Sequence, residues 1–422
     1  MSERSRLHEG IDALVQRHAD ELVALRHDLH ACPELSNREV GTAATAAEHL
    51  HRIGLDEVRT GIAGHGVVGL LRGGKSRRRN ARIAALRADM DALPVHETSG
   101  VPFASTVADV AHACGHDCHT ATVLTAATVL AAMRDDLPGD VVFVFQPAEE
   151  GPPVDETGGA QAMLDEGAFD GPTPTMVFGM HVGPYPHGHV AYRRGVQFAA
   201  SALLKVTVEG VGAHASQPWF GVDPMPAAGA IITGLGQLYR QVPAWEAVSV
   251  TVGHVEDRGR FNVIGGSVTL WGTIRALTTA TMDDLRHRIA GFCRHSAEAY
   301  GATADVQFLQ SVPPVDNRSV WVDAALPTLA AGAGGFDRVV EAPPTMVYDD
   351  VSVFVNAFGG LYLHYGVQDT ELSNGRLVAR HGGRGLVANH HPAFYADDNA
   401  LPTSVRIHAT MAVDHLLGVV TP

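Results

Sequence analysis

Short apolar runs alternate with stretches of helical spacing through the first part of the chain. The runs predict strands at Val67–Leu71, Arg82–Leu86, Val141–Phe145 and Met176–Met180. The residues between them predict helices, listed in chain order as His119–Met133 and Gly159–Glu166. One earlier helix is expected to end near Cys32, because Pro33 cannot continue it. This alternation indicates an α/β fold, a mixed sheet with helices on both faces.

From about Arg193 the pattern changes to strands whose apolar residues alternate with polar ones. The predicted order is strand, helix, strand, strand, helix, strand, at Leu203–Val208, Pro226–Arg240, Ala247–Gly253, Val268–Ile274, Met282–Tyr300 and Ala304–Leu309. That order is the ferredoxin-like pattern. After Pro313-Pro314 the chain returns to the first domain. We therefore predict one α/β domain in two parts, residues 1–193 and 313–422, around an inserted α+β domain, residues 194–312.

Composition and charge exclude several classes of protein. The 422 residues carry a formal net charge of -15, which argues against binding nucleic acid or an anionic membrane surface. No run of about 18 apolar residues occurs, and the first twenty residues contain no apolar segment typical of a signal peptide. Four cysteines in so long a chain form no disulfide framework, so a reducing cytoplasm is expected. The glycines and basic side chains of residues 73–80 predict a short, solvated basic loop.

Residues that bind metals or transfer protons cluster in four segments, each at or just after a predicted strand end. In open α/β sheets, binding sites form beyond the carboxyl ends of the strands. The first cluster contains Cys114 and His116, whose thiolate and imidazole can reach one metal ion. Asp117 is expected to orient His116 through its second ring nitrogen. A lone Cys-x-His is more often ordinary packing, but five His and Cys residues lie between His112 and His119.

The other three clusters supply carboxylates and further imidazoles. Glu149 and Glu150 directly follow a predicted strand, where two adjacent carboxylates need a cation or a proton-transfer role. A solvated glutamate pair in a loop is the alternative. His181 ends an apolar strand, and His390 and His391 precede the last helix; each histidine segment alone is a weak signal. Together these side chains would suit two metal ions about 3.5–4 Å apart that share ligands.

Four motifs carry a resemblance to a known family. They are Leu86-Arg87-Ala88-Asp89-Met90-Asp91-Ala92-Leu93-Pro94, His112-Ala113-Cys114-Gly115-His116-Asp117, Gln146-Pro147-Ala148-Glu149-Glu150 and Gly158-Gly159-Ala160. In combination they make the chain resemble the zinc-aminoacylase and carboxypeptidase-like metallohydrolases, in the amidohydrolase branch. That branch includes hippurate hydrolases and plant-type indole-3-acetyl-amino-acid hydrolases. The resemblance covers about Leu25 to Leu417 and implies a metal-dependent amidohydrolase that cleaves N-acyl amino acids or similar small amides.

The resemblance implies a role for each matching position. The metal ligands would be Cys114, His116, Glu150, His181 and His390, with His391 as the reserve choice. Glu149 would be the general base. These residues would hold two divalent metal ions per subunit, Zn or Mn, with Co or Ni as alternatives. Asp89 and Asp91 would support the site, or would only stabilise a strand-end turn.

The inserted domain resembles the lid and dimerisation module of the same family. The resemblance implies that His214 reaches the active site of a neighbouring subunit and helps to hold the reacting carbonyl oxygen. Asn262 and Arg275 match positions linked to the substrate carboxylate, which Arg275 could bind through two hydrogen bonds. For Arg275, a surface cation at a strand end is the alternative. The expected partners are a small-molecule substrate and a second copy of the chain.

Three other functions compete with this interpretation. A dipeptidase or an N-acetyl-amino-acid deacetylase of the same family differs only in substrate. A cysteine hydrolase would use Cys114 with His116 or His119 as a nucleophile and base, but this leaves the glutamates unexplained. A catalytically inactive metal-binding protein is the third alternative. The sequence departs from the family pattern at Pro218-Trp219 and Asp349-Asp350-Val351. These positions lie in loops expected to shape the pocket, so the resemblance does not determine which substrate is cleaved.

Overall fold

The computed structural model describes residues 2–76, 81–373 and 375–422, so residues 77–80 of the predicted basic loop lie outside the described residues. Its α-helices are α1 (Glu3–Arg17), α2 (Ala19–Ala31), α3 (Val40–Arg52), α4 (His116–Ala132), α5 (Gly159–Asp165), α6 (Pro224–Leu235), α7 (Thr279–Glu298), α8 (Ser319–Ala333), α9 (Ser352–Phe358) and α10 (Leu401–Leu416). Its strands are β1 (Glu57–Ile62), β2 (Gly66–Leu71), β3 (Ile83–Asp89), β4 (Asp140–Gln146), β5 (Met176–Pro186), β6 (Val190–Tyr192), β7 (Gly195–Phe198), β8 (Ala200–Glu209), β9 (Ala213–His214), β10 (Val248–Asp257), β11 (Val263–Ile264), β12 (Ser267–Ala276), β13 (Thr303–Val312), β14 (Val315–Asn317), β15 (Val339–Glu341), β16 (Gly360–Gln368), β17 (Thr370–Ser373) and β18 (Arg376–Ala379).

The described residues divide into two compact units. The first unit comprises Met1–Gln197, Asp316–Pro343 and Asp350–Pro422, and the second comprises Phe198–Val315 and Pro344–Asp349. The sequence predicts residues 344–349 in the last part of the chain, whereas in the structure they belong to the second unit. In the second unit the amide of Ala199 donates to the carbonyl of Val347 at 2.9 Å, so backbone hydrogen bonding joins this short segment to that unit.

The first unit is built on a mixed sheet with the strand order β1-β2-β4-β3-β5-β16-β6-β15. The four strands β4, β3, β5 and β16 run parallel to one another. The pairs β1–β2, β2–β4 and β6–β16 are antiparallel, and β15 pairs with β6 in parallel. Every residue of β2 is buried, and only the first residue of β4 is not. Strands buried this completely are covered on both faces, and the helices α4, α9 and α10 contact the central strands. The predicted mixed α/β sheet is therefore confirmed.

Three local features of the first unit differ from the sequence prediction. The single amino-terminal helix is two helices, α1 and α2, because the chain leaves helical geometry at His18. Helix α4 begins at His116, three residues early, after Gly115 with φ +90°. A β-carbon at Gly115 would lie 2.3 Å from Cγ2 of Val182, so glycine is required there. Strand β5 continues to Pro186, which places His181 in the middle of the strand rather than at its end.

The second unit has the order β8-α6-β10-β12-α7-β13, and its antiparallel sheet has the strand order β10-β12-β8-β13. This is the arrangement of a ferredoxin-like fold. Burial alternates along β12, and the buried side chains of β8 and β12 pack with those of α6 and α7 in one core. A short ladder, β9 with β11, is added outside this pattern and pairs His214 with Val263. The predicted roles of this unit as lid and dimerisation module stay predictions.

The remaining expectations for the whole chain concern disulfides and membranes. All four cysteines are free, Cys32 at the surface and Cys114, Cys118 and Cys293 buried. Among the residues that the structure describes, no helix is both long and apolar enough to cross a membrane. A cytoplasmic location stays a prediction.

Candidate metal centre

The side chains singled out in the sequence for metal binding converge within the first unit. Three overlapping groups have ligand atoms within 4.8 Å of one another: Cys114 with His116 and His181, Cys114 with Glu150 and His390, and His116 with Glu149 and Glu150. They come from the start of α4, the turn after β4, the middle of β5 and the segment before α10. The structure therefore brings all five predicted ligands and the predicted base together, and the individual role of each stays a prediction.

The distances and the burial fit a divalent metal ion. Cys114 Sγ lies 3.3 Å from His181 Nε2, and His390 Nε2 lies 3.1 Å from Glu150 Oε1. His116 Nε2 is buried and has no hydrogen-bond partner among the described residues. A buried polar atom without a partner costs about 1–3 kcal/mol, and a bound cation would remove that cost. Sulfur, imidazole nitrogen and carboxylate oxygen are the ligand set of zinc and similar ions.

Asp91 orients two of the candidate ligands. Its Oδ1 lies 3.3 Å from His116 Nδ1, and its Oδ2 accepts the backbone amide of Glu150 at 2.9 Å. Ser36 donates a third hydrogen bond, at 2.6 Å, to the same carboxylate. Because a carboxylate only accepts, Nδ1 of His116 carries a proton, and Nε2 is the ring nitrogen that faces the cluster. Asp91 therefore supports the site, one of the two roles that the sequence left open.

The prediction that Asp117 orients His116 is wrong. Asp117 Oδ2 accepts hydrogen bonds from Arg26 Nε at 2.7 Å and His30 Nδ1 at 2.8 Å, both on α2. Successive residues of a helix point about 100° apart, so Asp117 faces α2 while His116 faces the cluster. Sequence adjacency suggested a contact that the geometry of α4 does not allow.

His390 rather than His391 reaches the cluster. The amide of His390 donates to the carbonyl of Ala113 at 2.8 Å, and its backbone is left-handed with φ 68°. The ring of His391 instead accepts the backbone amide of Ala393 on Nδ1 at 3.0 Å, and this side chain is exposed. The geometry thus favours His390 as the fifth ligand.

Glu39 fixes the turn that carries the two glutamates, a role that sequence reasoning missed. Its Oε1 accepts the backbone amide of Ala148 at 2.8 Å, and Ala148 has the left-handed φ of 54°. Glu39 is fully buried. Its burial and the nearby Asp91 raise the pKa of Glu39 to about 7. No motif contains Glu39, so only the folded structure reveals the contact.

Asp350 explains the Gly158-Gly159-Ala160 motif. Its Oδ2 accepts the amide of Ala160 at 2.7 Å, and a β-carbon on Gly159 would lie 2.5 Å from the same oxygen. Its Oδ1 accepts from Gln146 Nε2 at 2.6 Å, at the end of β4. Asp350 therefore connects the start of α5 to β4, the strand that leads into the turn with Glu149 and Glu150. Gly159 of the motif leaves room for its carboxylate.

Similarity to known proteins identifies the family. The model of Peptidase family M20/M25/M40 matches residues 85–414. The chain belongs to this family. It is 33% identical over 404 residues to the IAA-amino acid hydrolase ILR1-like 4 of Arabidopsis thaliana, with 94% of the chain and 86% of that relative aligned. It is 31% identical over 394 residues to the N-acetylcysteine deacetylase of Bacillus subtilis (strain 168), with 93% and 96% aligned.

A solved structure supports the same assignment. The Bacillus subtilis YxeP protein, described as a dinuclear metal binding peptidase from the M20 family, superimposes with a TM-score of 0.73 at 29% identity. The match covers 95% of this chain and 99% of that protein. The chain is therefore a metal-dependent hydrolase that acts on amide bonds, and the resemblance found in the sequence is confirmed.

The electrostatics of this M20-family site argue against a cysteine nucleophile. Burial, together with Glu150 and Glu149, raises the pKa of the Cys114 thiol well above its usual value. Reactive cysteines instead have a lowered pKa from nearby positive groups. Burial opposes a charge on His116, but Asp89, Asp91 and Glu150 outweigh it and raise the pKa of His116 to about 10. The cluster attracts cations, as a metal centre does.

Two of the residues predicted to contact substrate lie together in the second unit of this M20-family hydrolase. The amide of Ala215 donates to the carbonyl of Asn262 at 3.2 Å, beside the pairing of His214 with Val263. His214 is exposed, and its Nδ1 accepts the backbone amide of Ser216 at 3.1 Å. Its proton is therefore on Nε2, where it can be donated to a ligand.

Arg275 lies apart from that ladder, near the last residue of β12. Its Nη1 donates to the carbonyl of Met346 at 2.7 Å, and its guanidinium stacks on the ring of Tyr348, 5.0 Å from the centroid. Both partners belong to the second unit. The half-buried guanidinium is thus held by groups that carry no charge, and it is not neutralised by either of them.

Proposed function

We propose that this protein hydrolyses the amide bond of N-acyl amino acids. The observation that carries the proposal is the convergence of the ligand atoms of Cys114, His116, Glu149, Glu150, His181 and His390 in one partly buried cluster. The names of two relatives, an IAA-amino acid hydrolase and an N-acetylcysteine deacetylase, share one bond type, an amide between an acyl group and an amino acid. The substrate class that we propose contains that bond.

We propose that the cluster binds two divalent metal ions. Cys114 belongs to one candidate group with His116 and His181 and to another with Glu150 and His390, so it is suited to serve both ions. Zn or Mn fits this donor set, with Co or Ni as alternatives. When bound, such ions polarise the amide carbonyl and lower the pKa of water, which makes hydroxide available near neutral pH.

Glu149 is the proposed general base. It is buried, and its Oε2 lies 3.7 Å from His116 Nε2, so its carboxylate faces the same space as the candidate ligands. It takes a proton from the attacking water and returns it to the nitrogen of the leaving amine. The C–N bond breaks, and a carboxylic acid and a free amine are released.

The proposed substrate contacts come from the second unit. His214 has its proton on Nε2, and this donor stabilises the negative charge that develops on the carbonyl oxygen. The guanidinium of Arg275 binds the carboxylate of the amino-acid product, and the amide of Asn262, which lies beside His214, reaches that carboxylate from the other subunit. Arg275 is suited to this role, because it is held by the carbonyl of Met346 and the ring of Tyr348, neither of which carries a charge.

Metal removal and substrate screening test the proposed function together. The purified protein is chelated, then supplied with Zn²⁺ or Mn²⁺, and hydrolysis is measured on acetyl, benzoyl and indole-acetyl amino acids and on dipeptides. We expect hydrolysis of the N-acyl amino acids that disappears on chelation and returns with metal. Each substrate is paired with its carboxamide, which lacks the carboxylate and should be cleaved poorly.

The other outcomes identify the alternatives. Preference for dipeptides would favour the dipeptidase, and preference for acetyl substrates alone would favour the deacetylase. Hydrolysis that persists after complete metal removal would refute the metal mechanism. Tight metal binding without turnover of any substrate would favour the inactive metal-binding protein.

We also propose that the protein is a homodimer in which His214 acts on a substrate bound to the other subunit. His214 is exposed, and large apolar side chains close to it in sequence or just before the adjacent ladder strand are exposed as well: Trp219 at 71%, Phe220 at 72% and Phe261 at 87%. Apolar side chains exposed to this extent are typical of surfaces that another protein covers. A second copy of the chain is the proposed occupant.

Mixed dimers test this assignment. His214→Ala and Glu149→Gln subunits with different tags are co-expressed, and the heterodimer is isolated through both tags. If His214 acts on the other subunit, one complete site forms and about half of the wild-type kcat per dimer returns, because a twofold dimer has two equivalent sites. If His214 acts within its own subunit, both sites stay defective and the heterodimer is as inactive as either homodimer.

A further inference from the structure

His119 is a buried histidine beside the cluster whose two ring nitrogens are both engaged. Nε2 accepts the backbone amide of Val182 at 2.8 Å, so the ring proton must be on Nδ1. Nδ1 donates to Asp89 Oδ1 at 2.6 Å. The atoms of Asp89, His116 and His119 lie close enough to hold an ion. The two hydrogen bonds engage both ring nitrogens of His119, Nε2 as acceptor and Nδ1 as donor, so we do not count it among the ligands.

Val182, whose amide N–H is held by His119, also controls the ring of His181 through its carbonyl group. The carbonyl of Val182 accepts from His181 Nδ1 at 2.7 Å and from Asn389 Nδ2 at 3.1 Å. A carbonyl only accepts, so His181 carries its proton on Nδ1 and directs Nε2 toward Cys114 Sγ. The orientation of His181 therefore depends on where the backbone of Val182 is held.

The other end of this connection is fixed in the core. Asp89 is fully buried, and its Oδ2 accepts from Arg87 Nη1 at 2.6 Å. Arg87 is itself held by Gln146, which accepts from Arg87 Nε at 3.0 Å. The ring of His119 packs 4.8 Å from that of His181, centroid to centroid. A rigid series of contacts thus leads from the centre of the sheet to a candidate ligand.

We propose that His119 is a positioning residue of the metal centre, which holds the backbone of Val182 on its N–H side so that the Val182 carbonyl orients His181 with Nε2 toward the metal. This inference rests on the proposed function, because it takes His181 as a ligand. Outer residues that orient metal-binding histidines typically contribute about 10–100-fold to metal affinity. His119 would do so through a backbone peptide rather than by contacting the ring nitrogen of the ligand.

Two substitutions separate the two hydrogen bonds of His119. In His119→Gln the side-chain oxygen can replace Nε2 as acceptor for the Val182 amide, and the bond to Asp89 is lost. In His119→Asn the side-chain amide can replace Nδ1 as donor to Asp89, and the bond to Val182 is lost. His408→Asn is the matched control, since His408 is also a buried histidine but donates to the carbonyl of Ser404 on its own helix.

The measurements are Zn²⁺ affinity, by competition with a chromophoric chelator, and the absorption spectrum of the Co²⁺-loaded protein. We expect His119→Asn to bind Zn²⁺ about 10–100-fold more weakly, with altered Co²⁺ bands. His119→Gln and His408→Asn should keep wild-type affinity and bands, even where their thermal unfolding occurs at lower temperature. Wild-type affinity in folded His119→Asn, or a tenfold loss in folded His119→Gln, would overturn the proposal.

His181→Ala distinguishes failure of this inference from failure of the proposed function. If His181→Ala binds Zn²⁺ as tightly as wild type, His181 is not a ligand, and the positioning role of His119 is wrong as well. If His181→Ala weakens binding while His119→Asn does not, only the positioning role is wrong.

Discussion

Glu149→Gln should lower kcat by about 10²–10⁴-fold, the usual contribution of a general base. Glutamine keeps the size and shape of the side chain, but its neutral amide cannot act as a base near neutral pH. Because Glu149 is proposed as the base and not as a ligand, the variant should keep its full metal content. The measurement is kcat on the best N-acyl amino acid, together with metal content per subunit by elemental analysis.

Glu150→Gln is the matched control, since it makes the same chemical change one residue away. Glu150 lies 3.1 Å from His390 Nε2 and is proposed as a ligand, so this variant should lose metal as well as turnover. The two neighbouring substitutions therefore separate proton transfer from metal binding. Substantial turnover in fully loaded Glu149→Gln, or metal loss equal to that of Glu150→Gln, would contradict the assignment of Glu149.

Cys114→Ala should have a large effect on metal binding, because Cys114 takes part in two candidate groups. Its loss removes a donor from both proposed ions at once. Substitution of a residue that only contacts a ligand typically lowers metal affinity by about 10–100-fold. We expect Cys114→Ala to lower the affinity by more than this. Turnover should fall with it and should return only in part at high metal concentration. Equilibrium dialysis with Zn²⁺ measures the affinity directly.

Cys118→Ala is the control for Cys114→Ala, because Cys118 is also buried and lies in the first turn of α4, shortly after Cys114. Its thiol belongs to none of the candidate metal groups among the described residues, so metal affinity should stay at the wild-type level. The pair also decides between mechanisms. If Cys114→Ala retained its metal but lost all turnover, and alkylation of Cys114 inactivated the wild type in the same way, a cysteine nucleophile would be favoured.

The parts of this protein that sequence predicts well are those set by local interactions. The apolar run of β4 and the helical spacing of α4 are read correctly, since each depends on side chains within a few residues. The cluster was also predictable, because Cys114 and His116 lie two residues apart and the two glutamates are adjacent, and the structure brings them together. The errors at His181 and His18 concern where an element ends, which neighbouring elements decide.

The contacts that orient the ligands could not be predicted in this way. Glu39 holds Ala148, and Asp350 holds Ala160, across separations of 109 and 190 residues. Spacing along the chain contains no information about such pairs. The error at Asp117 has the same origin, because its partners on α2 become visible only once α2 and α4 are packed. From the sequence, His119 is a candidate base for Cys114. In the structure its two hydrogen bonds instead join it to Asp89 and to the backbone amide of Val182.

The candidate ligands are spread over most of the chain, and this has a consequence for biosynthesis. Cys114, His116, Glu150 and His181 leave the ribosome early, whereas His390 follows only after the whole second unit has been synthesised. The second unit has its own core and can fold during that interval. A nascent chain therefore lacks part of the candidate ligand set until the segment that carries His390 has been translated. Full hydrolytic competence and tight capture of metal are therefore expected only after that segment has joined the first unit.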